Sequence, residues 1–157
     1  MGEQEGPPRW LSAQEKAAWT GAASFILLLP RRLDADLQRA AGMTLFEYLT
    51  LSHLSEAPGR RLVLSELAFL ANGSLSRLSN VMKRFEARGW VEREPHPEDR
   101  RATLAVLTEA GQSQVDQAAP VHVASVREHV LDPLTDDDQR ALARISAKLR
   151  DPGDPLG

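Results

Sequence analysis

The 157-residue chain contains no cysteine. That excludes a disulfide framework and any cysteine-based redox switch, and it suits a cytoplasmic protein. No apolar run approaches the ~18 residues needed to span a bilayer. The longest, FILLL at residues 25–29, is far too short, so no membrane partner is expected. The opening residues MGEQE have no basic flank and no adjoining apolar stretch, so they do not read as a signal peptide. Catalytic signatures are missing too: no P-loop, no GxSxG and no HExxH occurs. Four histidines (His53, His96, His122 and His129) have no cysteine to join them in a metal site. His122 and His129 share one expected helix face, but two histidines alone bind a metal poorly, so surface or interface roles are expected. The acids Asp136, Asp137 and Asp138 read as a helix start rather than a cation site. Neither an enzyme, a cofactor nor a metal centre is indicated.

The chain has the length and apolar content, 42%, of one ordinary globular domain. Its net charge of −3 is unpromising for a nucleic-acid binder. The distribution is more informative: residues 60–101 carry nine Lys or Arg against six Asp or Glu, and the rest carries ten against sixteen.

Helix signals dominate. Residues 1–10, with two prolines, read as a flexible arm. Ser12 and Glu15 form a capping box that opens a helix reaching about residue 41, with Trp19, Ala22, Ile26, Leu29, Leu33 and Leu37 on one apolar face. Pro30 should kink or break it. Thr44 and Glu47 form a second capping box. Residues 64–108 then read helix (LSELAFLA), NGS break, helix (LSRLSNVMKRFEAR), glycine, strand, charged hairpin, strand. Leu75, Leu78, Val81, Met82 and Phe85 should face inward. Thr108 opens a long helix, with a bend expected at Pro120, and Thr135 opens a last amphipathic helix bearing Leu142, Ile145 and Leu149. The two hairpin strands are the only strands expected, and residues 151–157 read as a flexible tail. The fold expected is mainly α: a winged helix-turn-helix with a two-stranded β-hairpin wing and a helical dimerisation lobe from both termini.

In such a unit the second helix enters the DNA major groove with the wing beside it. Ser74, Ser76, Arg77 and Asn80 are the side chains expected in the groove, with Lys83 and Arg84 on the same polar face. Arginine can pair bidentately with guanine and asparagine with adenine. The hairpin tip carries Asp99, Arg100 and Arg101. Guanidinium groups on a thin loop suit a narrow A·T-rich minor groove, and Asp99 would hold a neighbouring arginine. The plain alternatives are a solvated helix face and surface ion pairs of little energetic worth. The terminal helices bear more apolar surface than a minimal winged helix uses. A partner subunit would cover it, giving a two-fold dimer that reads a pseudo-palindromic operator of double-stranded DNA.

The run LSELA…SRLSNVMKRFEARGWVER…PEDRRATLAVLTEAG, followed by DPLT before the final helix, resembles the MarR (multiple antibiotic resistance regulator) family over residues 11–150. Its most specific piece is Asp99-Arg100-Arg101 followed by Leu107-Thr108-Glu109-Ala110-Gly111. The resemblance implies a homodimeric transcriptional regulator, most often a repressor, with residues 11–42 and 109–150 as dimerisation helices and 44–108 as the winged helix-turn-helix. It implies a recognition helix over residues 74–88 and a wing motif in Asp99 and Arg101, with Arg101 in the minor groove. It further implies release of DNA by a small aromatic or phenolic effector bound between the two lobes. Trp19, Phe46 and Tyr48 are the aromatic candidates for such a pocket, or are simply core. Two other readings stay open: a winged-helix module that binds protein instead of DNA, and a ligand-binding protein with marginal DNA affinity.

Overall fold

The computed structural model describes residues 8–99 and 101–149. Arg100, most of the expected flexible arm and the tail expected over residues 151–157 lie outside the described residues. Helix α1 (Ala13–Ala41) starts at Ser12, whose hydroxyl accepts the Glu15 N–H while Glu15 accepts the Ser12 N–H. Pro30 does not end the helix, and Pro120 does not end α5 (Glu109–Val126). The carbonyls these prolines leave without a donor, those of Ile26 and Asp116, belong to exposed residues, where water can take the donor's place. Helix α2 (Leu45–Glu56) opens on the Thr44–Glu47 capping box, and α1 joins it there: Asp34 accepts the Leu45 N–H at 2.8 Å.

A single turn of 3-10 helix (Pro58–Arg60) leads into a strand absent from the sequence reading, β1 (Arg61–Val63). Three residues are too few to show a two-residue period, and the Pro-Gly before them reads only as a stop. Helices α3 (Leu64–Leu70) and α4 (Leu75–Ala87) follow, then β2 (Val91–Pro95) and β3 (Thr103–Leu107). The sheet is antiparallel in the order β1-β3-β2, with Arg61 opposite Val106 and Val91 opposite Leu107. The wing is therefore rooted on both sides of β3. After α5 come a π-helical turn (Arg127–Leu131) and α6 (Asp136–Leu149).

One core lies under the helix-turn-helix. Leu51 and Leu54 of α2, Leu67 of α3, Leu78, Met82 and Phe85 of α4, and Val91 of β2 are at most 1% exposed. Each such burial stabilises the fold by about 1.5–3 kcal/mol. Leu75, expected inward, is 57% exposed: it lies one turn beyond the covered part of α4. Helix α1 is buried only near its end, at Leu33 and Leu37, while Trp19 and Ile26 are 62% and 61% exposed. Among its described residues α6 has none buried. Two bonds tie α1 to the far end of α5 and the π-helical turn after it: Asp36 accepts from the Ser125 hydroxyl at 2.5 Å and pairs with His129 Nε2 at 2.9 Å.

Helix α5 leaves the sheet at a tight crossing. A Cβ on Gly111 would lie 2.2 Å from the Trp90 carbonyl oxygen and 2.6 Å from Leu107 Cδ1. The first of these is backbone and cannot swing away. Gly111→Ala is expected to lower stability by about 1–3 kcal/mol, an overpacking cost. The check is a urea titration, and an unchanged midpoint would contradict the crossing.

Candidate nucleic-acid interface

The turn between α3 and α4 is shaped by α2. Asn72 adopts φ of 54° and the Gly73 N–H reaches back to the Ala68 carbonyl at 2.9 Å. A Cβ on Gly73 would sit 2.3 Å from the Phe46 ring, so only glycine lets the turn close over that ring. Ser74 caps α4, its hydroxyl accepting the Arg77 N–H at 3.1 Å. With the stripe Leu78, Val81, Met82 and Phe85 buried, Ser76, Asn80 and Lys83 point away from the core. Among the described residues these three side chains have no hydrogen-bond or ion-pair partner.

Arg77, expected in the groove, and Arg84, expected on the same polar face, each have a partner within the chain. The Arg77 guanidinium lies 4.1 Å from the centre of the Phe46 ring. Arg84 donates from Nη2 to Glu47 Oε1 at 2.7 Å. Burial pushes the Glu47 carboxyl up, but bonds from Arg84 and Thr44 outweigh it and hold it below the ordinary glutamate value. More of the basic excess is neutralised nearby: Arg60 pairs with Glu109, Arg61 with Glu94 and Arg93 with Glu86. Arg88 lies over the Trp90 ring.

The wing tip is organised by two side chains. Asp99 Oδ1 accepts the backbone N–H of Arg101 at 2.9 Å, while the Arg101 Nε is 3.8 Å away and its side chain is 96% exposed. Asp99 thus fixes the loop backbone and also pairs, at the longer 3.8 Å, with the Arg101 guanidinium, which stays exposed to solvent. His96, given no part by the sequence reading, accepts the N–H groups of Glu98 and Asp99 on Nδ1 at 3.2 and 3.1 Å. The Pro-Glu-Asp run after it was the available signal, since a side-chain acceptor there can stand in for a turn bond.

The three aromatic candidates are not brought together. Trp19 is exposed on α1, Phe46 packs under the α3–α4 turn, and Tyr48 packs against His122 with ring centres 4.7 Å apart and planes tilted by 37°. An apolar groove of about 440 Å³ is instead lined by Phe25, His129, Pro133, Leu142 and Ile145. His122 is half-buried: its Nδ1 is buried without a partner, and burial pushes its pKa down from 6.5. No cluster of three metal-ligating side chains occurs among the described residues. No helix among them is long and apolar enough to cross a membrane.

The model of the MarR family matches residues 41–102. The chain is 35% identical over 109 residues to an HTH-type transcriptional repressor of Mycobacterium tuberculosis, covering 69% of this chain and 76% of that protein. It is 30% identical over 93 residues to the HTH-type transcriptional regulator YdcH of Bacillus subtilis, and the match spans 63% of that relative's length. A MarR family transcriptional regulator from Streptomyces coelicolor, solved in complex with DNA, superposes with a TM-score of 0.82 and 41% identity over 92% of this chain and 91% of that one. These relatives are transcriptional regulators, not enzymes.

The His122 site carries a pH dependence. In the unfolded chain this imidazole binds a proton near 6.5, and in the folded chain it does so only at lower pH. The unfolded state therefore holds more protons across that interval, and stability falls as pH drops through it. His122→Leu is expected to flatten the dependence of the urea midpoint below pH 6.5 relative to the parent chain. Parallel curves would remove His122 from this role.

Proposed function

Because the chain belongs to the MarR family of transcriptional regulators, we propose that it is a homodimeric, sequence-specific double-stranded DNA-binding repressor acting in the cytoplasm. One observation carries this reading. A capped helix keeps Ser76, Asn80 and Lys83 unengaged on its outer face, beside a wing that presents Arg101 to solvent. Residues 44–108 are the DNA-binding part. Ser74, Ser76 and Asn80 meet base edges or phosphates in the major groove and Lys83 a phosphate; Asp99 shapes the wing, and Arg100 and Arg101 approach the minor groove. The DNA complex of the Streptomyces relative supports this over a module that binds only protein.

Residues 11–42 and 109–150 form the dimerisation part in this reading. Trp19, Ile26, Leu27, Ile145 and Leu149 are each more than half exposed, and a second copy laid along them removes that surface from water. Two recognition helices about 34 Å apart then meet successive major grooves of a pseudo-palindromic operator. An effector, in this reading a small aromatic or phenolic molecule, would release DNA by changing the separation of the two winged parts.

The deciding measurement is fluorescence-anisotropy binding to DNA selected from a random pool, across a salt series. Palindromic enrichment and binding that weakens steeply with salt are expected; no enriched sequence and no salt slope would sink the reading. In the same assay Arg101→Ala should weaken sites with A·T-rich flanks more than G·C-rich ones, and equal losses would contradict the minor-groove assignment. Asn80→Ala should relax base preference at one position per half-site, by about 1–3 kcal/mol. For the dimer, sedimentation of the parent chain should give twice the monomer mass, and Ile26→Asp with Ile145→Asp should give the monomer. A parent chain that sediments as a monomer would refute it.

A further inference from the structure

We propose that the first turn of α2 is a clamp that sets the rotation of the recognition helix about its own axis, with Phe46 and Glu47 as positioning residues acting through Arg77 and Arg84. The inference rests on the DNA-binding reading above and deepens it. It divides the polar side of α4 into an edge that holds the helix and a face that meets DNA.

The geometry is specific. Arg77 and Arg84 are seven residues apart, two helical turns, so they lie along one edge of α4 about 10 Å apart. Their partners are adjacent in sequence: Phe46 beneath the Arg77 guanidinium at 4.1 Å, and Glu47 on Arg84 Nη2 at 2.7 Å. Phe46 also closes against Gly73 in the turn just before α4. Glu47 is itself immobilised, accepting from Thr44 N and Thr44 Oγ1 at 2.9 Å each. The same turn of α2 is bound to α1 through Asp34 and the Leu45 N–H.

A clamp of this kind does what the apolar stripe of α4 does poorly. Apolar burial is non-directional, so it resists withdrawal of the helix more than a small roll. A side-chain tip about 6 Å from the axis moves about 2 Å in a 20° roll, enough to take a base-edge hydrogen bond out of range. Two directional contacts two turns apart resist that roll. Ser76, Asn80 and Lys83 keep their aim because Arg77 and Arg84 are held elsewhere.

The competing role for Arg84 is a direct phosphate contact, and charge-preserving variants separate the two. Full-length chain carrying Glu47→Gln, Arg84→Gln, Arg84→Lys or the first two together is compared with the parent chain by anisotropy on the selected DNA, across a salt series. Glu47→Gln keeps the capping box, since glutamine serves at that position, and removes only the charge that holds Arg84. The clamp predicts that all three single variants weaken specific binding about three- to tenfold and relax base preference at the half-site. It predicts that Arg84→Gln leaves the salt slope unchanged, and that the double variant is no worse than the poorer single one. A phosphate contact predicts the reverse: Arg84→Lys retains affinity, Arg84→Gln lowers the slope by about 0.9 per contact, and Glu47→Gln tightens binding by freeing the arginine. That pattern would overturn the clamp. So would single variants that leave affinity and base preference untouched. A parent chain that binds no DNA fails earlier and overturns the DNA reading itself. Circular dichroism melts of each variant separate loss of aim from loss of fold, and a loss of affinity matched by unfolding at the assay temperature overturns the positioning role.

Discussion

A helix that reads DNA must keep its outer face unoccupied while something else holds it still. In this chain the constraint falls on the start of α2. The Phe46 ring lies where a Gly73 side chain would be, so the helix-turn-helix closes only over that ring. The neighbouring Glu47 is the third residue of its helix, completes the capping box, and takes the Arg84 ion pair on its other oxygen. One short segment thus fixes the turn, starts its own helix and grips the next one. Glu47 can remain charged although 9% exposed because every charge-stabilising partner is in place, and a half-satisfied version of this network would be worse than none.

Charge reaches the same division from another side. A chain with a net charge of −3 cannot rely on bulk attraction to a polyanion. Of the basic residues in the central third, Arg60, Arg61, Arg84 and Arg93 are paired with carboxylates, and Arg77 and Arg88 lie over aromatic rings. Several of these remain exposed, but those with no ring and no carboxylate within 3.6 Å are few among the described residues: Lys83 on the helix, and Arg101 at the wing, which is 3.8 Å from Asp99. Few contacts per subunit give weak binding by one copy, and a second copy on the same duplex multiplies it without a new kind of contact. Sparse positive charge and two-fold assembly therefore belong together in the proposed regulator.

Much of this was legible in the residues. The capping boxes at Ser12 and Thr44, the Asn72-Gly73 break, the serine cap of α4 and the charged hairpin are local devices, and local devices survive in sequence. Strand β1 was not legible because a three-residue strand has no period, and its pairing with β3 is a long-range event. Of the two outcomes the sequence allows at Pro30, kink or break, the helix is not broken, and α5 likewise runs on past Pro120, because the cost of proline depends on whether the orphaned carbonyl reaches water, which is a tertiary property. Arg77 as a groove residue and Arg84 on the same polar face follow from helical spacing, which separates core from surface but cannot say which part of that surface also meets a neighbouring helix. Leu75 read as core for the related reason that an apolar stripe does not announce where its cover ends. His122 read as a surface or interface residue, and nothing in the sequence marks the Tyr48 ring that packs against it.

The terminal helices show how assembly can reach the DNA-binding part. Helix α6 is 14 residues long with none buried among those described, and a helix that short is marginal on its own in water. Contacts such as those of Gln139 with the Leu131 and Leu134 carbonyls hold it in part, and in the proposed dimer a second subunit would cover the rest. Helix α1 bears the other exposed apolar face, and it is the same helix that hands Asp34 to α2 and Asp36 to Ser125 and His129. Within the proposed dimer, a shift of α1 at the subunit interface pulls on Asp34, then on the first turn of α2, then on Arg77 and Arg84. Each link is a directional contact between rigid elements rather than a soft apolar one. In the proposed regulator an effector would not need to touch the recognition helix to spoil its aim: a movement of α1 against α5, passed on through the Asp34 bond to Leu45, would be the route.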